Sequence, residues 1–256
     1  MRALPEDPAI ASLAPEMRQA VGRIWFRRGA AETRAGKLFE VVAEALRSVG
    51  ASSELLALAE AAIDDEARHG ALCNEVAHAY DPRLSDVAPE APAKVPAYVG
   101  ASAALKPHLV IVGMCAINET TASAFLEASL AAASGPLVRA ALRALLSDEI
   151  HHARMGWIHL ASPNVGDAER AAIGAWLPSL LAAHVASWRE IGPESKTGWI
   201  AAQGCLAVQA IEEVVWSSLR DLVLPGFDRV GVDTRAARAW FTAESTLPAD
   251  RPAARR

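Results

Sequence analysis

Two five-residue strings constrain this chain more than anything else in it: Asp65-Glu66-Ala67-Arg68-His69 and Asp148-Glu149-Ile150-His151-His152. Each reads Asp-Glu-x-x-His. Residues three apart on an α-helix lie about 60° and about 4.5 Å from one another, so the Glu and His of each string leave one face toward one point. The surrounding sequence has a helical vocabulary, rich in Ala, Leu and Glu and poor in β-branched alternation. A first helix is predicted over about 15–49, stopped by Gly50, and a second opens at Ser52-Ser53 and runs to about 80. Residues 81–105 carry Pro82, Pro89, Pro92 and Pro96 and no helical period, as a long connection would. Further helices are predicted over about 107–133, 137–160, 167–190, 205–224 and 234–244. Two hairpins joined by one long crossover predict an all-α four-helix bundle with two to three additional C-terminal helices. An α-solenoid of helix pairs is the alternative, without a repeated packing signature to support it.

Composition sets the outer bounds. At 256 residues and 52% hydrophobic, the chain can bury a sizeable core as one domain. The expected organisation is a single domain over 1–246, with the bundle at about 15–162, accessory helices at about 167–245 and a frayed tail at 247–256. A net charge of −5 without a basic block argues against nucleic acid or an anionic membrane as partner. The most apolar stretch, 109–133, is interrupted by Glu119 and Glu127, which argues against a membrane span. Glu6-Asp7 stands where a signal peptide needs its apolar core, and Cys73, Cys115 and Cys205 are odd in number and lie in apolar runs. The expected compartment is the cytoplasm, with reduced thiols.

Two carboxylates and two imidazoles converging in a bundle interior suit iron or manganese if each hairpin adds another carboxylate. Hairpin register selects them. Glu66 is 16 residues after Gly50 and Glu32 is 18 before it, a mismatch of about 3 Å at 1.5 Å per residue. Glu149 is 14 after Gly135 and Glu119 is 16 before it, the same offset in the same direction. The competitors Glu40 and Glu127 are about 9 Å off register. Each selected acid lies in an otherwise apolar stripe: Trp25, Phe39, Val42 and Leu46 around Glu32, Val112, Cys115, Leu126 and Leu130 around Glu119, and Leu142, Leu145, Leu146 and Leu160 around Glu149. An unpaired carboxylate there would be costly, so metal ligation or a buried polar network is expected.

Glu75-Val76-Ala77-His78 repeats the Glu-x-x-His spacing but lies nine residues beyond Glu66, on the opposite face, and reads as a solvated pair. Asp65 and Asp148 point away from the ligand face. Each could reach the histidine of the other hairpin from behind and fix its tautomer.

In order, Glu32, Glu66, His69, Glu119, Glu149 and His152 resemble the ligand pattern of the ferritin-like non-haem di-iron carboxylate proteins. The string from Asp65 to His69, with Arg68 inside it, is more similar to the Asp-Glu-x-Arg-His signature of bacterial di-iron monooxygenases and acyl desaturases than to iron-storage ferritins. Cys73 stands where methane-type monooxygenases carry a cysteine and ribonucleotide reductase small subunits carry a radical tyrosine. Ser123 stands where such monooxygenases place a threonine hydroxyl. The resemblance implies a ferritin-like bundle over about 15–162 holding two iron ions (a Mn/Fe pair fits the same ligands), with O₂ as co-substrate. It also implies catalytic roles near the metal for Cys73 and Ser123, a small-molecule substrate and an external electron donor.

The sequence departs from the arylamine N-oxygenases, whose third histidine would fall at Leu145. His108, His159 and His184 are spare, and His151 projects away from its neighbour His152. Trp25, Phe39, Cys73, Leu126 and Met155 are candidate walls of a substrate cavity. Helices five and six could cap that pocket or bury the face of a homodimer, and Glu212-Glu213 has no assigned role. Three activities remain open: an oxygenase hydroxylating or N-oxygenating a small organic substrate, a ferroxidase, peroxidase or other iron-handling protein, and a non-enzymatic bundle with a buried polar network.

Overall fold

The computed structural model describes residues 4–85, 94–189 and 198–245. Among these residues there is no strand, and seven helices carry the fold. They are α1 (Pro15–Ser48), α2 (Ser53–Tyr80), α3 (Leu105–Ala132), α4 (Pro136–Ala161), α5 (Asp167–Arg189), α6 (208–229) and α7 (Arg235–Ser245). Short tighter turns occupy Pro8–Ser12 and Gly198–Gln203. The expected tail at 247–256 and the expected end of the fifth helix at Glu190 lie outside the described residues.

Local chemistry explains the starts and stops. Proline opens α1 and α4, where its fixed φ suits the first turn and its missing N–H costs nothing. The Ser52 hydroxyl accepts from the Leu55 N–H at 3.3 Å, capping α2. Gly50 closes the α1–α2 turn at φ 68°, a conformation that favours a residue without Cβ.

α1 packs along α2 and α3, and α4 packs along α2 and α3, so four long helices surround one interior. That interior has two apolar ends. Phe39, Val42, Leu46, Leu55, Ala59, Ile111, Cys115 and Met155 form one, whereas Trp25, Leu72, Val76, Ile117, Phe125, Leu126, Leu142 and Leu145 belong to the other. Along α1, α2 and α4 the acids and histidines of interest fall between these sets, as Glu119 does between Cys115 and Phe125 of α3.

Two features were not anticipated from periodicity. α3 widens over Val112–Glu119 into turns in which N–H groups reach back five residues rather than four. Gly156 of α4 sits against this stretch so closely that a Cβ there would lie 2.3 Å from the Ala116 nitrogen. The sixth helix, expected over about 205–224, begins at Val208 and continues to Arg229. Pro225 falls inside it, and the widened turn Leu219–Val223 precedes this proline, relieving the clash that proline makes with a regular helical turn.

The C-terminal helices lie over the bundle. α5 packs on α3, α6 and α7, and α6 also packs on α3. The segment before α6 closes one end: the Gln203 carbonyl accepts from the Trp25 indole at 3.1 Å, and Tyr80 Oη donates to Gln203 Oε1 at 2.5 Å. By length and composition α3 and α5 are each apolar enough to cross a membrane, with 61% and 44% of the apolar window buried inside the protein.

Candidate metal centre

The structure brings all six ligand-type residues together. Glu32, Glu66, His69 and Glu149 form one group, and Glu66, Glu119, Glu149 and His152 another, each with donor atoms within 4.8 Å of one another. Glu66 and Glu149 belong to both. α1 and α3 contribute one carboxylate each, and α2 and α4 contribute a Glu and a His from successive turns. The arrangement can hold a metal ion: hard oxygens and imidazole nitrogens face each other in a buried space.

Atoms at the centre lack partners in a way that fits a cation. Glu66 Oε2 and His69 Nδ1 are buried without a hydrogen bond. His69 Nδ1 lies 3.3 Å from Glu149 Oε1 and 3.7 Å from Glu66 Oε2, and His152 Nδ1 lies 3.2 Å from both Glu66 Oε1 and Glu149 Oε2. The imidazoles thus present Nδ1 inward. Their other nitrogens are held crosswise: His69 Nε2 is 3.1 Å from Asp148 Oδ2, and His152 Nε2 is 3.2 Å from Asp65 Oδ2. A proton on each Nε2, donated to its Asp, leaves the Nδ1 lone pair free for a metal. Arg68 spans the rim, bonded to Asp65 and, at 3.2 Å, to Asp148.

The electrostatics are those of a concentrated negative site. Burial, then the charges of Glu66 and Glu149, lift the Glu32 carboxyl well above the carboxylate range. Glu119 is lifted likewise, by burial first and then by the Glu149 charge beside it. Glu32 retains some exposure as a residue although its carboxyl is enclosed. For Glu149 burial acts in the same upward sense, but the His152 and His69 imidazoles beside it outweigh it and hold the carboxyl low. Burial pulls both imidazoles down, yet the adjacent Glu149 and Glu66 carboxylates win and lift His69 and His152 to about 11. Without a cation, then, the acids around them favour protons on the two imidazoles.

Cys73 follows His69 on α2, and Ser123 follows Glu119 on α3, by one helical turn each. Burial pushes the Cys73 thiol well up, with the Glu32 charge adding to it, so the sulfur is a neutral thiol. Ser123 Oγ is buried without a hydrogen-bond partner. Trp25, Phe39, Leu126 and Met155 are buried core residues, and Phe39 packs its ring 4.9 Å from that of His152. The two described clefts lie elsewhere, one between α5 and α6, lined by Trp188, Ile211 and Trp216 among others, and one at Leu4–Ala11 against Arg18 and Leu137.

The remaining histidines are accounted for apart from the cluster. His108 and His159 pair with each other, Nδ1 to Nε2 at 3.0 Å, and burial depresses both, His159 to about 4. His184 Nε2 lies 2.9 Å from Thr121 Oγ1, and burial holds it down at about 3. His78 Nε2 lies 3.0 Å from the Leu84 carbonyl, and Glu75, Glu40, Glu127 and His151 are exposed. Leu145 is buried core, and Glu212, left without a role, pairs with Arg189 at 3.2 Å.

Sequence reasoning missed Asn118 and Trp188. Asn118 Nδ2 donates to Glu119 Oε1 at 3.2 Å, while its own Oδ1 accepts from the Trp188 indole of α5 at 3.2 Å. The accessory helix therefore reaches a ligand-type carboxylate through one amide. No protein-family model, curated protein or solved structure matches this chain.

Proposed function

We propose that this chain is a ferritin-like non-haem di-iron oxygenase that uses O₂ to oxidise a small organic substrate. The observation that carries the reading is the sharing of Glu66 and Glu149 between two donor groups, each completed by its own His and its own Glu. Glu66 and Glu149 would serve both members of a metal pair, and the hard O/N donor set would suit iron, with manganese as the close competitor. The bound pair would supply the electrons and open coordination positions that O₂ needs.

The chain's own residues do the rest. Asp148 and Asp65 hold the imidazoles in the tautomer that points a lone pair inward. Asn118 fixes one oxygen of Glu119, leaving the other to face the interior. Phe39, Met155 and Leu126 exclude water on both sides of the polar layer. Cys73 and Ser123 offer a thiol and an uncommitted hydroxyl next to it, the second able to donate a proton or accept a hydrogen bond at that position. Favouring an oxygenase over an iron store, α5 and α6 cover α3 and, through Trp188 and Asn118, tie this cover to Glu119.

The test is anaerobic Fe(II) loading followed by O₂ addition in the presence of candidate organic acids, amines and hydrocarbons. O₂ uptake coupled to an oxidised organic product, with the iron staying bound to the protein, supports the proposal. Ferric mineral accumulating beyond the two sites would contradict it in favour of iron handling.

A further inference from the structure

One cation beside the centre has no acid to answer it. Arg28 lies on α1 one helical turn before Glu32. Its Nη2 donates to the Gly204 carbonyl at 3.1 Å, whereas Nη1 is buried and has no hydrogen-bond partner. The guanidinium carbon sits 4.3 Å from the Trp25 ring centroid and 5.1 Å from that of Phe125. Glu32 would be the natural counter-ion at this spacing, but its carboxyl is turned into the group with Glu66, His69 and Glu149, and among the described residues no acid is paired with Arg28. The positive charge is nevertheless close enough to oppose the upward shift of both Glu32 and Cys73. On α3, Ser123 Oγ, one turn from Glu119 and two residues before Phe125, is also buried without a partner, as is Asn74 Oδ1 against Gly29.

A guanidinium edge enclosed without an acceptor is costly. Aromatic rings against it leave only the in-plane N–H groups free, the geometry that accepts a carboxylate. We propose that Arg28 anchors the carboxylate of the substrate, so that the substrate class is a small monocarboxylic acid. Its apolar body would lie past Trp25 and Phe125 toward Cys73 and Ser123, with the position to be oxidised next to Glu32. Since Arg28 and Glu32 are one turn, about 6 Å, apart along α1, a short aliphatic or single-ring acid spans the distance. The assignment of a substrate role rests on the oxygenase reading of the adjoining centre; the carboxylate site itself does not.

The experiment is calorimetric titration of butyrate and benzoate, each against its amide, into the Fe(II)-loaded chain kept anaerobic, with metal content measured on the same samples. The wild type should bind at least one acid and neither amide. Arg28→Gln should weaken that binding at least ~10-fold, the loss expected for a charge-assisted hydrogen-bonded pair, while metal content stays unchanged. Arg28→Lys, which keeps the charge and loses the fork, should fall between the two and guards against a folding artefact in the glutamine variant. Unchanged affinity in Arg28→Gln would place the acid on the metal instead and overturn the proposal. Failure of the metal-loaded wild type to bind either acid would leave Arg28 as a tie to Gly204 and overturn it too. Acid binding that depends on Arg28 in a chain that holds no metal would support the carboxylate site and remove the di-iron reading.

Discussion

His69 Nε2 and Asp148 Oδ2 lie 3.1 Å apart across the two hairpins, and His152 and Asp65 repeat the contact at 3.2 Å in the opposite sense. Each Asp-Glu-x-x-His string therefore turns a Glu and a His inward from its own helix and supplies an outer acceptor for the other. The crosswise exchange ties α2 to α4 and fixes both rings at once.

The first consequence concerns Asp148→Asn. The amide cannot accept and orient the His69 N–H as the carboxylate does, so metal affinity should fall about 10- to 100-fold while the helical fold is kept. Competition titration against a chelator of known affinity, with circular dichroism as the control, measures this. Asp65→Asn should behave in the same way through His152.

A second concerns Asn118 and Trp188. Trp188→Phe keeps the ring and deletes the indole N–H that holds Asn118. Loss of one such hydrogen bond is worth about 1 kcal/mol, or about 5-fold in affinity. The loss should fall on the donor group that contains Glu119 and spare the group of Glu32, Glu66, His69 and Glu149. A biphasic metal titration in which one phase alone shifts is the expected result; equal shifts in both phases would count against it.

How far such features are legible in sequence depends on their range. The ligand-type residues are legible because three-residue spacing on a helix and equal depth in a hairpin are local geometry. Asp65 and Asp148 follow, since both strings carry the same extra acid. Asn118 and Trp188 are 70 residues apart and meet only when α5 folds back over α3, which no periodicity reports. The widened turns at Val112–Glu119 keep the hydrophobic pattern of a helix and so leave no trace in it. Arg28 reads as half of an Arg27-Arg28 pair on an amphipathic helix until its free nitrogen is seen. The sixth helix runs five residues past its expected end because the widened turn before Pro225 lets the helix continue through a proline, and that turn has no local signature.

Packing gives a third prediction. Gly156→Ala places a methyl 2.3 Å from the Ala116 backbone nitrogen, forcing α3 and α4 apart one turn from His152. A destabilisation of about 1–3 kcal/mol is expected from denaturant unfolding, with weakened metal binding beside it. Gly113→Ala, whose Cβ would meet the Tyr98 hydroxyl at 3.3 Å and no backbone atom that close, should cost less.

The electrostatics give a fourth. His69 and His152, both lifted to about 11, carry protons at neutral pH that a metal must displace, and the raised carboxyls of Glu32 and Glu119 act in the same sense. Groups protonated below their pKa compete with the cation there, so affinity should fall as pH is lowered and rise toward pH 9. Zinc addition to the metal-free chain in weak buffer should release at least the two histidine protons per chain. Metal uptake without acidification would contradict the assignment of both imidazoles.

The most direct test of the central claim is the number of metal ions per chain, measured by elemental mass spectrometry after anaerobic Fe(II) loading and desalting, in the wild type and in Glu66→Ala. Because Glu66 belongs to both donor groups, the account predicts close to two ions in the wild type and loss from both positions in the variant. A wild type that holds none, or a Glu66→Ala chain that still holds two, would contradict it.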